Sequence, residues 1–178
     1  MKENIKRFKI CIFGDGGVGK TTLVKRYLQG IFDDATPMTI GVEFYVKKLK
    51  IDEHPCSLQI WDFAGENEFR DLFPSFVRDA SGGIFMYDIT RRSSLEDFED
   101  WMYVFQEQNK EQIGVPLILV GGKSDLEEER LIQEQDILEA TQRFGQFDHL
   151  ECSSKTGQNI EKIFEILTRK ILENKKLI

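Results

Sequence analysis

The residues Gly14-Asp15-Gly16-Gly17-Val18-Gly19-Lys20-Thr21 constrain this 178-residue chain more than any other stretch. They match the spacing GxxxxGK(S/T), directly after the apolar run Phe8–Phe13 and at the opening of a helical pattern. Glycines at such positions let the backbone fold tightly and turn its N–H groups inward, toward phosphate oxygens. A helix N-terminus behind the loop adds the positive end of its dipole. Lys20 then reaches the β- and γ-phosphates, and Thr21 offers its hydroxyl to magnesium. With average residue usage, a chance match is expected in fewer than about one protein of this length in a hundred. The loop alone leaves ATP and GTP open, and equally a switch, a kinase or a motor.

A strand–loop–helix unit at one end sets the reading of the rest. Strand-like runs at Phe8–Phe13, Phe44–Ile51, Ser57–Trp61, Gly83–Tyr87, Pro116–Val120 and Phe147–Cys152 alternate with helical patterns. Those patterns cover Lys20–Gln29, Phe69–Arg78, Leu95–Gln108, Glu134–Phe144 and Asn159–Glu173. In the last, Ile160, Ile163, Phe164, Leu167, Ile171 and Leu172 recur at helical spacing between charged residues, so one face packs on a core. Ile84–Tyr87 and Leu117–Val120 are apolar throughout, as strands of a parallel sheet covered on both faces are. Phe44–Ile51 alternates instead, with Phe44, Val46, Leu49 and Ile51 as its apolar set and a slip near Lys48, which predicts a half-exposed edge strand. The expected fold is α/β: one doubly wound domain over residues 1–178, with a mostly parallel six-stranded sheet, helices on both faces, and ligands outside the carboxyl ends of the strands.

Composition narrows the class. Hydrophobic residues make up 40% and charged residues 31%, as in ordinary globular proteins. The net charge of −7 argues against a nucleic-acid partner, whose phosphates attract basic faces. Cys11, Cys56 and Cys152 form neither a disulfide framework nor a CxxC pair, and a reducing cytosol fits them. The charged start MKENIKRFKI lacks a signal-peptide apolar region, and no apolar run approaches the ~20 residues that span a bilayer. A cytoplasmic location without membrane insertion is therefore expected. Lys175–Ile178 carry no cysteine and hence no prenylation box.

Further segments follow in order: Thr39-Ile40-Gly41-Val42-Glu43-Phe44, Leu58-Gln59-Ile60-Trp61-Asp62-Phe63-Ala64-Gly65, Met86-Tyr87-Asp88-Ile89-Thr90, Gly121-Gly122-Lys123-Ser124-Asp125 and Cys152-Ser153-Ser154-Lys155. They resemble the five nucleotide-binding boxes of Ras-superfamily small GTPases, with the middle ones most like the Rab branch. The resemblance runs from about Lys9 to the final helix. It implies a small G-protein of the P-loop NTPase fold that binds GTP and GDP with Mg2+ and hydrolyses GTP. It implies a phosphate contact set of Gly14, Asp15, Gly16, Gly17, Val18, Gly19, Lys20, Thr21 and Thr22, and a metal set of Thr21, Thr39 and Asp62. Gly65 would donate its N–H to the γ-phosphate, and Glu66, Gly65 and Lys20 would form the hydrolytic group. Phe32 would pack over the base, Asp125 would accept from guanine N1 and N2, and Lys123 would lie along the base. Gly122, Ser153, Ser154 and Lys155 would complete the base pocket, with the Ser154 N–H at guanine O6. Residues 36–45 and 62–78 would be the two switch segments, ordered around the γ-phosphate. Effector, exchange-factor or activating proteins would meet the apolar switch surface that holds Phe44, Phe63, Phe69, Leu72, Phe73 and Phe76. Rab-like proteins usually carry a cysteine-bearing tail. This chain shows no lipid anchor, and a lipidated tail beyond Ile178 would make it membrane-peripheral.

Two positions depart from the family pattern. Glu66 stands where the family has the Gln that orients attacking water. A carboxylate accepts a hydrogen bond from water but cannot donate one as an amide does. Beside a phosphate at ~4 Å and an effective dielectric of 20, its charge repels by about 4 kcal/mol. Slow hydrolysis is expected, or a GTP-binding interaction module with little or none; Asn67 would supply an amide only if the loop shifts. Gly122 stands where the family has an Asn that ties loops together, a loss of about 1–2 kcal/mol in nucleotide affinity. Phe63 replaces a Thr and either packs under the second switch or faces a partner. Trp61 and Trp101 read as core or surface-pocket aromatics, His54 as a turn residue and Glu127–Arg130 as a solvated loop.

Overall fold

A computed structural model describes residues 5–33, 35–112, 114–145 and 147–178. Six strands form one sheet in the order β2-β3-β1-β4-β5-β6. They are β1 (Lys6–Phe13), β2 (Val42–Ile51), β3 (His54–Phe63), β4 (Gly82–Asp88), β5 (Leu117–Gly122) and β6 (Asp148–Glu151). β2 runs antiparallel to β3, and every other pair is parallel. The helices are α1 (Lys20–Gln29), α2 (Phe73–Val77), α3 (Ser93–Glu96), α4 (Phe98–Gln108), α5 (Glu134–Thr141) and α6 (Ile160–Asn174). Tighter 3₁₀ segments cover Asn67–Leu72 and Ser124–Glu129. The doubly wound architecture is thus the expected one.

The period-two alternation of β1 divides the core. Ile10 and Ile12 face a layer with Leu23, Val24 and Tyr27 of α1 and Ile163, Phe164 and Leu167 of α6. Cys11 and Phe13 face the other layer, with Phe73, Phe98, Trp101, Phe105 and Ile137. There Phe13 lies 4.9 Å from Phe73 and stacks on Phe105 at 5.3 Å, measured between ring centroids. At the start of β4, side chains press from both sides. A Cβ on Gly82 would sit 2.9 Å from Leu167 and Ile171, and one on Gly83 would sit 2.9 Å from Leu117 and Phe105. All six apolar positions named in α6 are buried, as their spacing predicts.

Four expectations change. The Phe69–Arg78 pattern breaks into 3₁₀ and α segments at Phe73, where Pro74 occupies an early position of α2 and cannot donate to the preceding turn. The Leu95–Gln108 pattern is interrupted at Asp97 between α3 and α4. β2 is an edge strand without a slip: Tyr45, Leu49 and Ile51 pack inward, while Phe44 and Val46 stand on the exposed face at 49% and 52% exposure. His54 begins β3, opposite Ile51, rather than lying in the turn itself. No helix among the described residues is long and apolar enough to cross a membrane.

Candidate functional site

The order of the sheet reverses at β1, so the loop leaving β1 opens between the carboxyl ends of β3 and β4. A cleft of ≈ 540 Å³ lies there, lined by Gly17–Thr22 of the loop and α1 together with Phe32, Thr39, Gly65, Glu66, Lys123, Asp125, Ser154 and Lys155. Segments far apart in sequence thus converge where the sequence reading placed a ligand. Gly14, Asp15, Gly16, Asp62, Gly122 and Ser153 do not line the cleft.

Backbone geometry forces the loop's glycines. Gly14 has φ 137°, and a Cβ there would run into the Met86 carbonyl. Gly17 and Gly19 lie at φ 72° and 101°, and Gly19 caps α1. The Lys20 ammonium donates to the carbonyls of Gly14 at 2.9 Å and Asp15 at 2.8 Å. Burial pulls its pKa down to about 8, against the opposing pull of the Asp62, Glu66 and Asp15 carboxylates.

Beneath the loop, the Thr21 hydroxyl donates to Asp62 Oδ2 at 2.5 Å and meets the Thr39 hydroxyl at 2.6 Å. Asp62 is fully buried, and its Oδ1 has no hydrogen-bond partner. Burial lifts its carboxyl to about 6, although the Thr21 bond and Lys20 hold it down. Three oxygen donors around one orphaned carboxylate oxygen fit a hard divalent cation. Among the described residues no cluster of three or more His, Cys, Asp or Glu side chains forms.

The opposite end of the cleft is built by β4, β5 and the turn after β6. Ser153 Oγ donates to Asp125 Oδ1 at 2.6 Å and fixes that carboxylate at the rim. Lys123 sits at φ 65°, and its ammonium pairs with Asp88 at 2.6 Å. Burial opposes ionisation of Asp88, but the Lys123 and Thr90 hydrogen bonds outweigh it and hold the carboxyl below its ordinary range. Gly122 leaves no gap. A Cβ there would lie 2.5 Å from Met86 Cε and 3.1 Å from the Val18 carbonyl, so the buried Met86 thioether fills the space between the Gly122 backbone and the phosphate loop.

The family model described as "Ras family" matches residues 9–173. The chain belongs to the Ras family. It is a small GTPase close to the Rab branch. It is 41% identical to the Ras-related protein RABC1 of Arabidopsis thaliana over 171 residues, covering 96% of this chain and 79% of that one. It is 38% identical to Ras-related protein Rab-19 of Xenopus laevis over 165 residues, covering 93% and 76%. It is also 38% identical to human Ras-related protein Rab-30 over 157 residues, covering 88% and 76%. As a Ras-family protein the chain is a GTP-binding molecular switch; the family uses GTP, GDP and Mg2+ and works with regulator and effector proteins.

In this small GTPase the second switch segment lies against the phosphate loop. A Cβ on Gly65 would collide with the backbone of Gly14, Asp15 and Gly16. The Ala64 N–H donates to the Gly41 carbonyl at 2.9 Å and joins the two switch segments. The Glu66 carboxylate reaches the loop: Oε1 would lie 2.7 Å from a Cβ on Gly16, and Oε2 is buried without a partner. Asn67 is exposed and lies off the cleft. Phe63 packs under the switch, buried, edge-to-face with Phe73 at 5.1 Å. Of the apolar switch residues, Phe63 and Phe73 are core, whereas Phe44, Leu72 and Phe76 are exposed. Trp61 bridges Phe44 at 5.1 Å and Phe76 at 5.7 Å, and Trp101 is core. Glu127–Glu129 are exposed, as a solvated loop is, and only Arg130 is anchored, forking to Glu151 at 2.6 and 2.8 Å and to Glu127.

Sequence reading misses Met86, Asp88 and Arg91. Met86 and Asp88 lie inside a recognised box, but their contacts across the sheet, to Gly122 and Lys123, are tertiary. Arg91 follows that box directly. The available signal is the strand order: a turn after β4 must rise beside the loop after β1.

Proposed function

We propose that this chain is a guanine-nucleotide switch whose own hydrolysis is slow, because Glu66 brings a carboxylate to the phosphate loop. The carrying observation is the placement of Glu66 against Gly16 with one oxygen buried and unpaired. In this reading the loop N–H groups and Lys20 hold the β- and γ-phosphates, and Thr21, Thr39 and Asp62 hold magnesium. The bound ion neutralises phosphate charge. Asp125, braced by Ser153, accepts from guanine N1 and N2, which adenine does not offer as donors. Phe32 covers the base, the Ser154 N–H meets O6, and Gly65 donates to the γ-phosphate.

Hydrolysis adds water to the γ-phosphorus and breaks its bond to the bridging oxygen of GDP. Glu66 accepts a hydrogen bond from that water and offers no donor to the phosphate. Its charge also opposes the phosphate oxygens. The exposed Phe44 and Phe76, bridged by the half-buried Trp61, form with Ile40 and Leu72 the face for protein partners. A second reading, a GTP-binding module with essentially no turnover, rests on the same Glu66 placement.

Single-turnover hydrolysis of wild type and Glu66→Gln tests the proposal. Relief of a third of the ~4 kcal/mol repulsion already accelerates the reaction about tenfold. An unchanged rate would sink the repulsion argument.

A further inference from the structure

β4 neighbours β1, and the turn at its carboxyl end rises beside the phosphate loop. That turn is locked. The Arg91 N–H donates to the Asp88 carbonyl at 3.0 Å, and Ser94 Oγ donates to the Arg91 carbonyl at 2.6 Å. Thr90 donates to the Asp88 carboxylate through both its N–H, at 2.9 Å, and its hydroxyl, at 2.7 Å. From this fixed base the Arg91 guanidinium reaches the loop, where Nη2 donates to the Gly16 carbonyl and lies 3.3 Å from Asp15 Oδ2.

Glu66 approaches the same glycine from the second switch. Arg91 Nε and Glu66 Oε2 are both buried and both lack a partner. The charges that act on Lys20 are the Asp62, Glu66 and Asp15 carboxylates and the Arg91 guanidinium. Lys25 also acts on Asp62. Remove Arg91, and the loop loses the cation that touches Asp15 and Gly16 before any phosphate arrives.

We propose that Arg91 is a built-in counter-charge to Glu66: a positioning residue that holds the Gly16 carbonyl and Asp15, and lets the loop accept a triphosphate beside an extra carboxylate. The inference rests on the guanine-nucleotide reading above. GTP differs from GDP by the terminal phosphate, the one nearest the second switch in that reading. Arg91 therefore favours GTP over GDP rather than nucleotides in general. A lysine keeps the charge but not the planar fork that serves Gly16 and Asp15 together.

The test is the affinity of the Mg2+-loaded protein for a non-hydrolysable GTP analogue and for GDP, in wild type, Arg91→Ala, Arg91→Lys, Glu66→Gln and the Arg91→Ala/Glu66→Gln pair. Arg91→Ala should weaken the GTP analogue about five- to tenfold more than GDP, as expected for a lost charge-assisted contact. Arg91→Lys should recover part of that ratio, and adding Glu66→Gln should recover most of it. Melting temperatures of the GDP-bound variants should stay together, because the Arg91 side chain is 40% exposed. Equal weakening of both nucleotides, or a ratio that Glu66→Gln fails to recover, would overturn the role of Arg91 while leaving the guanine reading intact. Wild type that binds neither nucleotide would remove both.

Discussion

The two ends of the cleft are held together by different sets of contacts. At the phosphate end, hydrogen bonds do the holding: Lys20 on two loop carbonyls, and Thr21 on both Thr39 and Asp62. At the base end, Lys123 is pinned by an ion pair, Asp125 by one serine hydroxyl, and the step from Gly122 to the loop is filled by the Met86 thioether beside the Val18 carbonyl. Each end also carries one departure from the Ras-family pattern, and the structure answers them unequally. Gly122 is compensated in volume by Met86, whereas the Glu66 carboxylate keeps an oxygen with no partner. A missing side chain can be replaced by packing from a neighbouring strand. An added charge needs another charge, and beside Lys20 the Arg91 turn brings a second cation to the loop.

Substitutions that remove one support from each end sharpen this contrast. Lys20→Ala should have the largest effect and weaken guanine-nucleotide affinity by a hundredfold or more, about 3 kcal/mol, in fluorescent GDP titration. Retained affinity would mean that the loop backbone suffices. Asp125→Ala should cost about 2 kcal/mol and should act on the base alone. In competition binding its preference for GTP over ATP should shrink, whereas Lys20→Ala should leave that preference in place; the reverse pattern would exchange the roles of the two ends.

Met86 supplies a subtler test. Gly122→Asn alone must displace a buried methyl group and should not slow GDP release. The double variant Met86→Val/Gly122→Asn frees that space and should slow release about tenfold, in line with a hydrogen-bonded tie of about 1–2 kcal/mol. Equal slowing by the single variant would mean that Met86 moves aside freely.

The smallest expected effect concerns the Lys123 anchor. The Asp88 carboxyl is held below its ordinary 3.8 in the folded protein. Its stabilising contribution is therefore complete above that value and is lost as pH falls through the lower folded pKa. Asp88→Asn should lower the melting temperature by about 2–4 °C at pH 7, equivalent to about 1 kcal/mol. The gap to wild type should narrow below pH 3.8. A gap that ignores pH would assign the loss to packing instead.

Local rules made much of this legible. A motif of fixed spacing located the loop, and the periodicity of Ile160–Leu172 located α6. Continuous apolar runs located the central strands β4 and β5. The misreadings fell where tertiary contacts overrule local pattern. Phe44 and Val46 seemed to belong to the inner face because they are apolar, yet strict alternation puts them on the outer face, where Phe44 packs against Trp61. The slip inferred near Lys48 was the trace of that choice. Phe63 could have faced either way until Phe73 was found against it. Arg91 stayed hidden because its contacts lie 75 residues away in sequence, across two strands that become neighbours only when the sheet forms.

The most direct test of a guanine switch slowed by Glu66 is to load the purified protein with GTP and Mg2+, hold it at 25 °C for about an hour, and identify the bound nucleotide by chromatography after denaturation. A switch hydrolysing at roughly 4 × 10⁻⁴ s⁻¹, typical with the usual glutamine, would keep about a quarter of its GTP. The account predicts that well over half remains as GTP. Bound nucleotide that is almost entirely GDP, or GTP that ATP displaces at equal concentration, would contradict it.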